Sequence, residues 1–223
     1  MIVLCAFCSR GKKMHFLITA GGTREYIDPV RFISNASSGK MGYALAQAAK
    51  AAGHSVTLIS ASPMQPPVGV EFVAVDSAAQ MLGAVRRFFP KSDCLVMAAA
   101  VTDYTSVNPH KKKVKKSDRV LTLKLKPTKD IVAWAGKCKR ANQWVVGFAL
   151  EDKNLRSNAE KKLAAKKLDM IIANSPKSIG ADRTTVQIKT PGHRWLKLPE
   201  AKKSTVARRI IKTIEANLAR MNR

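Results

Sequence analysis

The segment His15–Gly42 reads HFLITAGGTREYIDPVRFISNASSGKMG. Its first six residues, His15–Ala20, form a short β-rich run that ends at Gly21-Gly22. Paired glycines let the backbone turn sharply off a strand and leave amide N–H groups accessible. Ser37-Ser38-Gly39 then opens a helical pattern through Lys50, with Met41, Ala44, Leu45 and Ala48 on one face. Ser37 or Ser38 is the expected cap, and Gly53 the expected stop. A strand that feeds a helix through a Gly- and Ser-rich loop is the start of an alternating α/β chain.

The alternation continues outward. Ser55–Ser60 (SVTLIS) and Glu71–Val75 read as strands, separated by a loop at Pro63, Pro66 and Pro67. Asp76 is placed to cap a helix through about Phe89, and Cys94–Ala99 has the length of a buried strand. A Lys-rich stretch, Val107–Asp118, precedes Val120–Lys126 (VLTLKLK), which alternates like a half-exposed strand. Thr128 is the expected cap of the next helix. Trp144–Leu150, the basic helix Asn154–Lys167 and the strand Met170–Ala173 follow. Thr184–Lys189 and Trp195–Leu198 read as a hairpin, and Ser204–Met221 as a closing helix. The expected class is α/β: a Rossmann-like three-layer fold, with a mainly parallel sheet and helices on both faces. Ligands of such sheets bind at the carboxyl ends of the strands, which selects the loops after Ala20, Ala99, Leu150 and Ala173.

Composition bounds the rest. The chain has 223 residues, enough for one domain, expected over residues 14–223 with 1–13 as a short extension. Lys+Arg number 40 and Asp+Glu 15, a formal charge of +25, which points to a polyanionic partner or an anionic substrate. Apolar runs such as Leu95–Val101 fall far short of the roughly 20 residues that span a bilayer. The N-terminus is apolar and then basic, the reverse of a secretory signal, so the expected compartment is the cytoplasm. Cys94 and Cys138 sit in apolar surroundings and are expected in the core. Cys5 and Cys8 form a lone CxxC with no second pair, which argues against zinc.

Four places carry chemistry. In the first, Gly21, Gly22, Ser37 and Gly39 make a phosphate cradle with a helix N-terminus, or else a plain tight turn and cap. It is neither a Walker A loop, since Met41 follows Gly39-Lys40, nor a GxGxxG fingerprint. Asn35 can donate to a carbonyl or an oxyanion, or simply hold the loop. Arg31 can grip a carboxylate or phosphate bidentately, or be a solvated surface residue. In the second, MAAAVTDY (Met97–Tyr104), Ala98 and Ala99 let a flat ring approach the backbone, unless a helix packs there instead. Asp103 suits a nucleotide hydroxyl or Mg²⁺. In the third, HKKKVKK (His110–Lys116), lysines 113, 115 and 116 suit triphosphate charge, or form a solvated basic face. In the fourth, Phe148 can stack on a base, while Lys162 and Lys166 are four apart and share a helix face. Core and surface roles are the alternatives there.

These segments, in this order, resemble the phosphopantothenoylcysteine synthetase family of coenzyme A biosynthesis. The residues that carry the likeness are Ile18–Ala46, Met97–Tyr104, Lys113–Lys116, PTKDIV (Pro127–Val132) and Val145–Asn174. The resemblance implies a ligase that joins 4′-phosphopantothenate to L-cysteine through an acyl-cytidylate, with CTP (ATP as the other option) and Mg²⁺. It implies catalytic roles for Asn35, Arg31 and Lys113, the last in a flap over the triphosphate. It implies nucleotide contacts from Ala98, Ala99, Asp103, Lys129, Asp130, Ile131, Val132, Phe148, Lys162 and Lys166. Lys129 stands where the family commonly has proline. A homodimer is also implied, with Val120–Lys126 as its candidate arm; neither a membrane nor a nucleic-acid partner is expected. Two rival classes are weighed. A nucleic-acid module would draw on the charge and on Arg208, Arg209, Lys212, Arg220 and Arg223, but aromatic residues are only 6%. An NAD(P)-dependent reductase would need the missing GxGxxG.

Overall fold

The computed structural model describes residues 12–118 and 120–221, so Cys5, Cys8 and Arg223 lie outside the described residues. The expected strands of the central sheet form as β1 (His15–Ala20), β4 (Ser55–Ser60), β5 (Glu71–Ala74), β6 (Cys94–Met97), β9 (Trp144–Leu150) and β10 (Met170–Asn174). The hairpin β11 (Arg183–Lys189) and β12 (Leu196–Lys202) completes it. The eight strands run in the order β12-β11-β10-β9-β6-β1-β4-β5. The six from β10 to β5 are parallel, and β11 and β12 add antiparallel at one edge. This is the expected Rossmann-like α/β class.

Alternation along the buried strands explains the three layers. Phe16, Ile18 and Ala20 point to one face, where they meet α1 (Lys40–Ala51) and α5 (Lys203–Met221) through Leu45, Ala49, Ile210 and Ile214. Leu17, Leu95 and Val145 point to the other, against α2 (Ala78–Phe88), α3 (Ile131–Cys138) and α4 (Leu155–Ala165) through Met81, Ile131 and Leu163. Among the described residues no helix is long and apolar enough to cross a membrane.

Several local expectations are corrected. The N-cap of α1 is Gly39 rather than Ser37 or Ser38, and no side chain caps that helix. Ser77, not Asp76, caps α2, because Gln80 three residues on completes a capping box. Asp130, not Thr128, caps α3; the Thr128 hydroxyl instead donates to the Thr102 carbonyl at 2.7 Å. Only Leu125–Pro127 (β8) is strand within the VLTLKLK region, paired with β7 (Tyr104–Ser106). A second small ribbon, β2 (Arg24–Tyr26) with β3 (Phe32–Ser34), lies between β1 and α1. Cys94 is buried as expected, and burial pushes its thiol up. Cys138 is exposed instead: it ends α3, beyond the sheet-facing Ile131 and Ala135.

Candidate functional site

Strand order reverses around β1: β4 and β5 lie to one side, and β6, β9 and β10 to the other. Loops on opposite sides of such a point separate and leave a crevice at the strand carboxyl ends. A cleft of about 860 Å³ opens there, within the range that takes a small ligand.

Its walls come from elements far apart in sequence. Asn35, Ser37 and Gly39 supply the approach to α1. Ala98, Ala99 and Asp103 follow β6, Lys129–Val132 open α3, Phe148 ends β9, and Lys162 and Lys166 end α4. Thirteen of the residues singled out above therefore face one cavity. Gly21, Gly22, Arg31 and Lys113 do not line it. Gly21 lies behind the wall at φ +83°, where a side chain would come within 2.6 Å of the Ser62 amide. Gly22 bridges to Ala100. Gly39, at φ +80°, turns the chain into α1 while approaching Ser62, which fixes the loop between strand and helix.

Hydrogen bonds set the geometry. The Asn35 Nδ2 donates to the carbonyls of Ala100 (3.3 Å) and Val101 (3.0 Å), so one amide ties the loop before α1 to the loop after β6. The Asp130 side chain accepts from the Ala133 N–H at 2.9 Å and pairs with Lys166 at 2.9 Å. Burial pushes the Asp130 carboxyl up, but that N–H and Lys166 outweigh it and hold it below its usual value. Lys162 pairs with Glu151 at 2.5 Å. Burial raises the Glu151 carboxyl, yet Lys162 and Asn158 bring it below the usual range. Lys162 and Lys166 therefore each carry a carboxylate partner.

A second basic corner escaped the sequence reading. Lys40 and Lys203, 163 positions apart, both line the cleft beside Ser178 and Gly180. Lys40 pairs with Asp182 at 2.6 Å, and the Lys203 Nζ donates to the Ser178 carbonyl at 3.0 Å. Burial, with the neighbouring Lys40, lowers the Lys203 ammonium. Only the GKMG motif hinted at Lys40; nothing local marks Lys203. Among the described residues no group of three or more His, Cys, Asp or Glu side chains gathers to hold a metal. Asp103 is one exposed carboxylate on the rim, which suits Mg²⁺ arriving with phosphate oxygens of its own.

Arg31 and the Lys-rich segment meet away from the cavity. Asp28 is buried in the turn between β2 and β3, and Arg31 pairs with it at 2.8 Å. The Asp28 Oδ2 accepts from the Val114 N–H at 3.1 Å, and the Arg31 Nη2 donates to the Val114 carbonyl.

A glycine-turned strand–helix junction, small residues after β6, a ring and several lysines on one crevice define a Rossmann-like α/β protein with a basic cleft at the carboxyl ends of its strands. The comparisons place it further. Residues 11–218 match the family "DNA/pantothenate metabolism flavoprotein C-terminal domain", and the chain belongs to that family. It is 45% identical over 208 residues to the coenzyme A biosynthesis bifunctional protein CoaBC of Bacillus subtilis (strain 168), covering 91% of this chain and 51% of that one. The chain spans about half the length of the curated relatives it matches. The crystal structure of the C-terminal domain of a CoaBC protein superposes with TM-score 0.82 at 37% identity, over 94% of this chain and 98% of that one. A Cab2 mutant in complex with phosphopantothenate-cysteine shares the fold: TM-score 0.78, 18% identity, 93% and 87% coverage.

Proposed function

We propose that the chain is a phosphopantothenate–cysteine ligase that uses CTP. The observation that carries this reading is the single cleft shared by Asn35, the Ala98–Ala99 strand end, Asp103, the α3 N-terminus and Phe148. The likeness to CoaBC proteins of coenzyme A biosynthesis supports it. The base stacks on Phe148 against the small residues after β6. The α1 and α3 N-termini, with Lys129, Lys162 and Lys166, receive the phosphates. The carboxylate of 4′-phosphopantothenate attacks the α-phosphorus; the bond to the β-phosphate oxygen breaks and pyrophosphate leaves. Cations and amide N–H groups stabilise the charge that builds on the phosphoryl oxygens. The amine of L-cysteine then attacks the acyl carbon, CMP departs, and the amine proton is lost. Asn35 stands at the junction of the two walls, where its amide can meet the acyl oxygen without adding a charge. Asp103 would hold Mg²⁺, which when bound would supply positive charge against the phosphates. The active form is a homodimer, supported by the exposed apolar side chains of the two small ribbons, and works in the cytoplasm.

The test is pyrophosphate release from CTP, with ATP in parallel, given 4′-phosphopantothenate and Mg²⁺ with and without L-cysteine. Release that depends on the acid and turns over only with cysteine is expected. No release with either nucleotide would remove the reading.

A further inference from the structure

Asp28 and Arg31 sit in the turn between β2 and β3, outside the cleft, and they hold a segment more than eighty positions away. The Asp28 carboxylate accepts from Val30 N (2.8 Å), Arg31 N (2.9 Å) and Val114 N (3.1 Å), and pairs with the Arg31 guanidinium (2.8 Å). Arg31 in turn donates to the Val114 carbonyl. Both main-chain polar groups of Val114 are thus engaged by one ion pair. The His110 N–H adds a bond to the Ile27 carbonyl at 2.8 Å. Val114 stands between Lys113 and Lys115, in a stretch without regular secondary structure, so these bonds replace the ladder it lacks.

We infer that Asp28 and Arg31 are a clamp that fixes the Lys-rich segment His110–Lys116 against the β2–β3 ribbon, and that Arg31 is a positioning residue acting through Lys113. The clamp stands on its own bonds; only the role of Lys113, the flap over the triphosphate that the family resemblance implies, rests on the ligase reading. The buried carboxylate suits the task. Burial pushes Asp28 up, but three N–H donors and the guanidinium outweigh it and hold it at about 2. The clamp therefore stays charged throughout the neutral range. The same ribbon continues through Ser34 into Asn35. One turn thereby sets the loop that ties the cleft walls together and the segment that carries the lysines.

The test has two arms, on Arg31→Lys and Asp28→Asn. Lysine keeps the charge but not the fork, and asparagine leaves one acceptor oxygen where two are used. In the first arm the unliganded protein meets trypsin at low dose, and cleavage within residues 111–116 is followed by mass spectrometry. Cleavage there is expected to rise about tenfold in both variants, because local opening follows the lost bonds, with other sites unchanged. An unchanged rate overturns the clamp, and this arm stands whatever reaction the cleft performs. The second arm compares Arg31→Lys, Lys113→Gln and the double variant in ligation. A fall in kcat with KM for phosphopantothenate unchanged, and no further loss in the double variant, is the expected result. A raised KM, or losses that multiply, would make Arg31 a substrate ligand instead. Arg31→Lys carries the test if Asp28→Asn fails to fold, since the Arg31 side chain is 42% exposed.

Discussion

Asn35 concentrates three demands on one amide. Its Nδ2 already serves two carbonyl oxygens, Ala100 and Val101, and the proposed intermediate brings a third acceptor to the same place. With two N–H donors, both engaged, asparagine meets the third acceptor by exchanging the longer bond, to Ala100, for it; aspartate can only accept. Asn35→Asp is therefore expected to loosen the junction and to repel the acyl oxygen as it gains charge. The first half-reaction, which depends on the cationic walls, should proceed. The second should slow by roughly a hundredfold, the loss typical of one removed oxyanion donor. Rapid-quench measurement would show a burst of pyrophosphate with little CMP. Full wild-type turnover would end this role for Asn35.

At the scale of elements, α3 joins structure to the site through its cap. Asp130 satisfies the Ala133 N–H and also holds Lys166 on the cleft wall. Asparagine caps as well as aspartate but carries no charge. Asp130→Asn thus isolates the ion pair, which with a side chain 47% exposed is worth only about 0.5 kcal/mol after solvent screening. The sign follows from linkage. The folded carboxyl lies below its unfolded value of 3.8, so the contribution is complete above the unfolded value and disappears as pH falls through the folded one. Urea unfolding should find the variant less stable at pH 7 and equal to wild type near pH 2. A deficit that persists at pH 2 would assign the effect to the cap.

The elements that were legible in the sequence share one physical cause. Runs such as Phe16–Ala20 and Val145–Val146 are buried on both faces of a parallel sheet, so their apolar character is continuous and easily read. The strands β2, β3, β7 and β8 are three residues each, too short for length or periodicity to mark them. The caps of α2 and α3 were misplaced by one and two residues because several polar residues compete there, and only geometry decides among them. Asp28 was invisible for a different reason: its partner Val114 is brought to it by the fold alone.

The whole molecule carries +25, and among the described residues several of its exposed apolar side chains lie on or beside the two small ribbons. Tyr26 and Phe32 stack edge to face at 5.5 Å on β2–β3; Tyr104 and Leu125 are exposed on β7–β8, and Val120 and Leu121 just before β8. The ribbons touch each other through β2 and β7. Isolated two-stranded ribbons are marginal in water, and an apolar surface of this kind is where a second protomer gains by docking. Two copies bearing the same charge repel, while apolar burial between them is indifferent to screening. The proposed dimer should therefore tighten as salt rises from 50 to about 300 mM, whereas a nucleic-acid complex would weaken over the same range. Sedimentation equilibrium at micromolar concentration would read the mass directly. Leu121→Glu with Leu125→Glu places charge within the apolar patch and should yield monomers with an unchanged far-ultraviolet spectrum. A wild-type monomer at every salt concentration, or a dimer indifferent to both substitutions, would remove the ribbons from the interface.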